Sequence, residues 1–157
     1  MENIEKSKDT KNILYIDCFS GISGDMMIAA LLDLNVYGLD IDYLKNELKK
    51  IAIQGYDIQV KKEKRGSLIA SKFDVLIEEN QLPRSYKDIK KIIEESGLES
   101  DVKKICLRIF NEIAKAEACV HGKTIDDIHF HEIGAVDSII DIAGVSIAMA
   151  KLNVDKI

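Results

Sequence analysis

Between residues 56 and 79 the apolar side chains of this chain fall on alternate positions, and on either side of that stretch they recur every three or four residues. A period of two places apolar groups on one face of a strand, and a period near 3.6 places them on one face of a helix. A chain that carries the first pattern once, inside a longer run of the second, is confined to an α+β fold: a small sheet packed with helices. The alternating stretches are YDIQVKKEKR (56–65) and SLIASKFDVLIEE (67–79), separated by a turn near Gly66, and they predict an antiparallel hairpin. NILYIDCF (12–19) is a short apolar run ending at turn residues. It predicts a buried N-terminal strand that joins the hairpin in a small mixed sheet.

The helical stretches have their own punctuation. DMMIAALLDL (25–34) is apolar nearly all round, as a buried helix is, and DIDYLKNELKKIA (40–52) places Leu44, Leu48 and Ile51 on one face. After Pro83, the sole proline, helices take over. SYKD (85–88) fits a capping box before Ile89, Ile92 and Ile93, and Gly97 closes that helix. Residues 101–120 carry Val102, Cys106, Ile109, Ile113 and Val120 at helical spacing, with Gly122 as the stop. TIDDIHF (124–130) reads as a short connector, and a last helix spans about 135–152. Residues 1–11 read as a disordered tail and 12–157 as one α+β domain with a helical second half. Val154 to Ile157 look like the start of a further element; a frayed end and a longer parent protein are both open.

Composition narrows the function classes. Apolar residues at 46% and charged residues at 31% support a real core and argue against disorder. A net charge of −5 argues against a general nucleic-acid partner, and the basic run KKEKR (61–65) reads as a solvated strand end. Cys18, Cys106 and Cys119 are odd in number and form no CxxC, which fits a reducing cytoplasm. The charged N-terminus has no secretory h-region, and Asp137 and Asp141 interrupt the last apolar stretch, so no membrane span is expected.

The chemistry concentrates in HFHEIGAVDSIIDIAG (129–144). All three histidines, His121, His129 and His131, lie in one eleven-residue window. If 128–132 is extended, His129 and His131 share a face, as a pair of imidazoles held to one metal would. The alternative is a hydrogen-bonding pair that anchors a loop, and His121, at a helix end, suits the dipole there. Asp137 and Asp141 are four apart and share a helix face with Gly134, Gly144 and Ala148. Such like charges among isoleucines need a cation, donors or solvent. The bland alternative makes Asp137 a helix cap and leaves Asp141 in water. Glu132 stands beside His131.

DCFSGISGDM (17–26) is a second candidate, a glycine loop between strand and helix. It is neither a Walker loop nor GxGxxG. Ser20, Gly21, Ser23 and Gly24 could receive a phosphorylated ligand. Asp25 would repel a bare phosphate, so Asp17 and Asp25 read better as metal or metal–phosphate ligands.

LYIDCFSGISGDMMIAALLDL and VHGKTIDDIHFHEIGAVDSIIDIAGVSIAM resemble the two signature blocks of the LarC family of nickel insertion proteins, and the similarity continues between them through AKAEACVHG. The resemblance implies an insertase (cyclometallase, lyase class) that places Ni²⁺ in pyridinium-3,5-bisthiocarboxylic acid mononucleotide. This completes the nickel-pincer cofactor of lactate racemase, with CTP and Mg²⁺ or Mn²⁺ used and CMP and pyrophosphate released. Matched to the motifs, His129, His131, Asp17 and Asp25 stand as metal ligands. Glu132, Asp137 and Asp141 stand as catalytic groups, and Ser20, Gly21, Ser23 and Gly24 as the cofactor-binding loop. The alternative is a non-catalytic nickel-binding or scaffold module. Two departures from the family pattern stand out. ENQLPRSYKD lacks the histidine-rich stretch common there. Family chains also continue into a C-terminal part where the resemblance places CTP. A shortened chain, or the first piece of a split protein working with a companion chain, is therefore expected, and lactate racemase is a further candidate partner.

Overall fold

The computed structural model describes residues 11–78, 84–130 and 134–157. The expected tail at 1–11 falls outside these except for Lys11. Along the described chain run α1 (Gly24–Asp33), α2 (Ile41–Leu48), β1 (Tyr56–Arg65), β2 (Leu68–Ile77), α3 (Tyr86–Glu95), α4 (Ser100–His121), a 3-10 turn (Ile125–Asp127) and α5 (Val136–Leu152). The architecture is α+β, with the hairpin ahead of a helical second half.

Local chemistry sets most of these boundaries. β1 and β2 pair antiparallel from Tyr56↔Ile77 to Arg65↔Leu68, so the turn holds two residues, and Gly66 supplies the positive φ of 61° that a tight hairpin needs. Ser85 caps α3: its hydroxyl accepts from the Asp88 N–H while the Asp88 carboxylate accepts from the Ser85 N–H, each at 3.2 Å. Gly122 ends α4 in the left-handed region at φ 62°. α2 stops at Leu48, short of residue 52, because Ile51 and Ile53 turn inward to the core through a bend instead of continuing the helix.

α5 is the hub, packing against α1, α2, α4 and β2. It buries Val136, Ile139, Ile140, Ala143 and Ile147, and small residues let its neighbours come close. A methyl group on Gly144 would stand 2.7 Å from Ile28 Cδ1 of α1. On the α4 side Cys106 is fully buried, which pushes its thiol up to about 12 and makes it an inert core group.

The stretch 12–19 departs from the sequence reading. Its burial alternates from Asn12 to Asp17, as an extended segment's does, but it joins no sheet with the hairpin. Its ladder contact is one parallel bridge, Ile13↔Lys156, with the Leu14 N–H donating to the Lys156 carbonyl at 2.9 Å. The sheet among the described residues is therefore two-stranded and antiparallel, not mixed. α1 packs on both β2 and α5, and 14–18 lies along the Met26 and Leu34 side of α1, so the run reaches a helix and not a hairpin edge. Tyr15 and Phe19 are consequently exposed where a buried strand was expected. Among the described residues no helix is long and apolar enough to cross a membrane.

Candidate functional site

The acidic and small residues on one stripe of α5 form the seat of α1. Gly144 receives Ile28, and one turn earlier Asp141 lies against Gly24, where an added methyl group would stand 2.7 Å from Asp141 Cβ and 2.8 Å from its Oδ2. Glycine at 24 is thus what lets the start of α1 reach the carboxylate. Asp25, in the first turn of α1, meets Asp137 and Asp141, in the first and second turns of α5. With Phe73, Asp74 and Val75 of β2 these three line an open cleft of about 320 Å³. Two helix N-termini therefore face the same cleft, and their partial positive charge offsets part of the carboxylate charge.

Asp141 has the least comfortable position of the three. Its Oδ1 is buried with no hydrogen-bond partner among the described residues. Burial, then the charges of Asp25 and Asp137, push its pKa up to about 6, against the pull of the Asp25 N–H, which donates to the carboxylate. Asp137 is exposed and accepts from the Ser138 N–H at 2.8 Å. The Ser23 hydroxyl donates to the Asp25 carboxylate. We expect Gly24→Ala to cost about 1–2 kcal/mol in urea unfolding, because overpacking against a helix-borne side chain outweighs the ~1 kcal/mol that alanine gains over glycine in a helix. A neutral or stabilising result would mean α1 and α5 stand further apart.

The histidine segment is pinned just ahead of α5. His129 forms an antiparallel bridge with Ser85, and the Tyr86 N–H donates to the Ile128 carbonyl at 3.1 Å. Ile128 and Phe130 point into the core, with Phe130 edge-on to Tyr86 at 6.2 Å and tilted against Phe110 at 6.5 Å. His129, between them, is exposed beside Asp88, whose pKa is lowered chiefly by the Ser85 hydroxyl, with a smaller contribution from His129. The Arg84 N–H closes the far side on the Gly134 carbonyl at 3.0 Å. His131 and Glu132 lie outside the described residues.

In the glycine loop, Ser20, Gly21 and Ser23 are exposed, and Gly21 turns the chain at φ 88° with its N–H donating to the Cys18 carbonyl. Asp17 lines a different groove from Asp25, between 14–18 and α1. The structure thus joins Gly24, Asp25, Asp137 and Asp141, and it sets Asp17 apart. Among the described residues, no three His, Cys, Asp or Glu side chains stand close enough to hold a metal ion between them. Sequence reasoning passed over Asp74, a wall of the cleft that is paired with Lys61 at 3.0 Å and with Lys72. The available signal was an acid between Phe73 and Val75 in a strand that reaches the core.

The profile of the nickel insertion protein family matches residues 14–157. The chain belongs to this family. Two relatives are named pyridinium-3,5-bisthiocarboxylic acid mononucleotide nickel insertion protein. That of Acetivibrio thermocellus is 46% identical over 154 residues, covering 92% of this chain and 37% of the relative. That of Geobacillus kaustophilus is 44% identical over 155 residues, with the same coverage. This member of the nickel insertion family therefore spans little more than a third of those relatives' length. No solved structure matches it.

Proposed function

We propose that this chain is the metal-holding, amino-terminal part of a nickel insertase. It accepts Ni²⁺ as cargo and presents it to pyridinium-3,5-bisthiocarboxylic acid mononucleotide. The observation that carries this is the partnerless Asp141 oxygen in an open cleft with Asp25 and Asp137, in a chain whose residues 14–157 match the nickel insertion family. A carboxylate oxygen held without a partner among the described residues, beside two further acids, is best explained by a cation that is bound and then given up, with the remaining ligands supplied from elsewhere.

The roles follow from chemistry. His129 and His131 are neutral donors suited to Ni²⁺, and Asp25 supplies charge. The precursor, by its name, brings two thiocarboxylates, so the protein needs few ligands of its own, and a sparse, exchangeable site suits a metal in transit. As the metal–carbon bond forms, the pyridinium carbon gives up a proton. Asp141, whose pKa is raised to about 6, would take it, and Asp137 and Glu132 are the further candidates. Ser20, Gly21, Ser23 and Gly24 would hold the mononucleotide phosphate, with Asp17 as a further metal–phosphate ligand. CTP with Mg²⁺ or Mn²⁺ belongs to the part of the family protein that this chain does not span. Lactate racemase is the recipient of the finished cofactor.

A second reading is a nickel-binding or scaffold module without catalysis, and the absence of three close ligands among the described residues favours its scaffold form. Calorimetric titration of Ni²⁺ into the chain and into a folded His129→Ala/His131→Ala variant tests the metal site. We expect the variant to lose more than about 100-fold in affinity, beyond the ~10–100-fold that follows from losing a group that merely orients a ligand. Equal affinities would remove the histidines from the site. Repeating the titration with the mononucleotide precursor separates the two readings, since a module without catalysis would ignore the precursor whether or not it binds the metal.

A further inference from the structure

One side of the molecule is apolar and open. Phe19 is 94% exposed, Tyr15 84% and Ile13 67%, and Met26, Leu34 and Tyr37 are each about half exposed. Two adjoining grooves of about 310 and 220 Å³ lie on this side and share Leu14 and Leu34. Scattered exposed apolar residues need no explanation, but Ile13, Tyr15, Met26, Leu34 and Tyr37 line these grooves, and such a contiguous set marks an interaction surface.

The backbone there is an unfinished ladder. The Leu14 N–H bonds the Lys156 carbonyl, and the Lys156 N–H bonds the Asn12 carbonyl. In an extended segment the peptide groups of Ile13 and Tyr15 then point to the opposite edge, and they have no hydrogen-bond partner among the described residues. Such an edge is a template for another strand.

We propose that this edge and its grooves receive an extended segment with apolar alternate residues, supplied by the part of the family protein that this chain does not span. Two observations select that occupant. The relatives match this chain along their amino-terminal portion, about 37% of their length, so their further sequence follows the position of residue 157, beside the 12–15 segment whose far edge is open. Residues 1–10, MENIEKSKDT, offer Met1 and Ile4 as their large apolar side chains against five charged ones, a poor match for an aromatic groove. The inference rests on family membership and backbone geometry, and stands or falls independently of the nickel site.

The test uses the full-length Acetivibrio thermocellus relative carrying the photo-cross-linker p-benzoylphenylalanine at the positions aligned with Tyr15, Ile13 and, as a control, Leu68 at the hairpin tip. Leu68 is 74% exposed and lines neither groove. After irradiation, peptide mapping is expected to join the first two positions to sequence beyond the matching region, at several times the yield from the third. Cross-links confined to the matching region, or yields equal at all three positions, would overturn the proposal. Hydrogen exchange on the unsubstituted relative guards against a variant that fails to fold. The amides aligned with Ile13 and Tyr15 should exchange at least tenfold more slowly there than in this 157-residue chain, and equal rates would count against an added strand. Sedimentation of this chain alone should show a monomer; a dimer abolished by Phe19→Ser would give the face to a second copy and overturn the assignment.

Discussion

Replacing Gly134 by alanine is expected to cost the chain about 3 kcal/mol, near the upper end of overpacking effects. The added methyl group would stand 2.4 Å from the Arg84 carbonyl oxygen, 2.7 Å from the Arg84 nitrogen and 3.0 Å from the Phe130 carbonyl oxygen. All three are backbone atoms, so no flexible side chain can yield. Relief requires parting 84–86 from 128–130 and from Gly134, which puts at risk the Arg84–Gly134 and Tyr86–Ile128 hydrogen bonds and the seating of Phe130. The same movement would displace His129 relative to α5, so with His129 as the proposed nickel ligand, affinity should fall along with stability. Equilibrium urea unfolding reads the first effect and calorimetry of the folded fraction the second. A loss below about 1 kcal/mol would show that the two segments do not meet as closely as described.

Asp141→Asn is expected to act in opposite directions on stability and on binding. With its pKa raised from 3.8 to about 6, the folded chain holds a proton that the unfolded chain releases earlier. Between about pH 4 and pH 6 the folded state therefore binds more protons than the unfolded state, and stability falls as pH rises. Above pH 6 the whole penalty is felt. A shift of about two units corresponds to roughly 3 kcal/mol at full strength, and solvent screening of this half-exposed group reduces it to about 1 kcal/mol. Asparagine keeps an acceptor for the Asp25 N–H and removes the charge, so the variant should be about 1 kcal/mol more stable than wild type at pH 7, with the difference vanishing near pH 4. With the proposed nickel site, the order should reverse in excess Ni²⁺, because a metal bound to the folded state stabilises the wild type by mass action and the variant is expected to bind it at least tenfold more weakly. Urea unfolding at pH 4 and pH 7, with and without nickel, checks each arm. A variant less stable than wild type at pH 7 without metal would mean that Asp141 already has the partner it lacks here.

What could be read from the chain was local. The capping box at Ser85, the two-residue turn at Gly66 and the stop at Gly122 each depend on residues within a few positions of one another, and the structure has them where the sequence puts them. Asp137 and Asp141 on one stripe with Gly144 followed from helical geometry alone. Two things did not. NILYIDCF has the composition of a buried strand, yet whether it is covered depends on which elements reach its edge, and α1 stands between it and the hairpin. Asp74 and Asp141 are neighbours across one cleft, although their meeting depends on α1 and β2 packing against the same helix. The sequence by itself determined the hairpin, the order of the helices, the ends set by a cap or a glycine, and the stripe of small and acidic residues, because propensity, capping and periodicity act within one or two turns. Only the tertiary structure decided that Gly24 meets Asp141 and that Tyr15 and Phe19 face outward, because those outcomes rest on contacts between residues far apart in the chain.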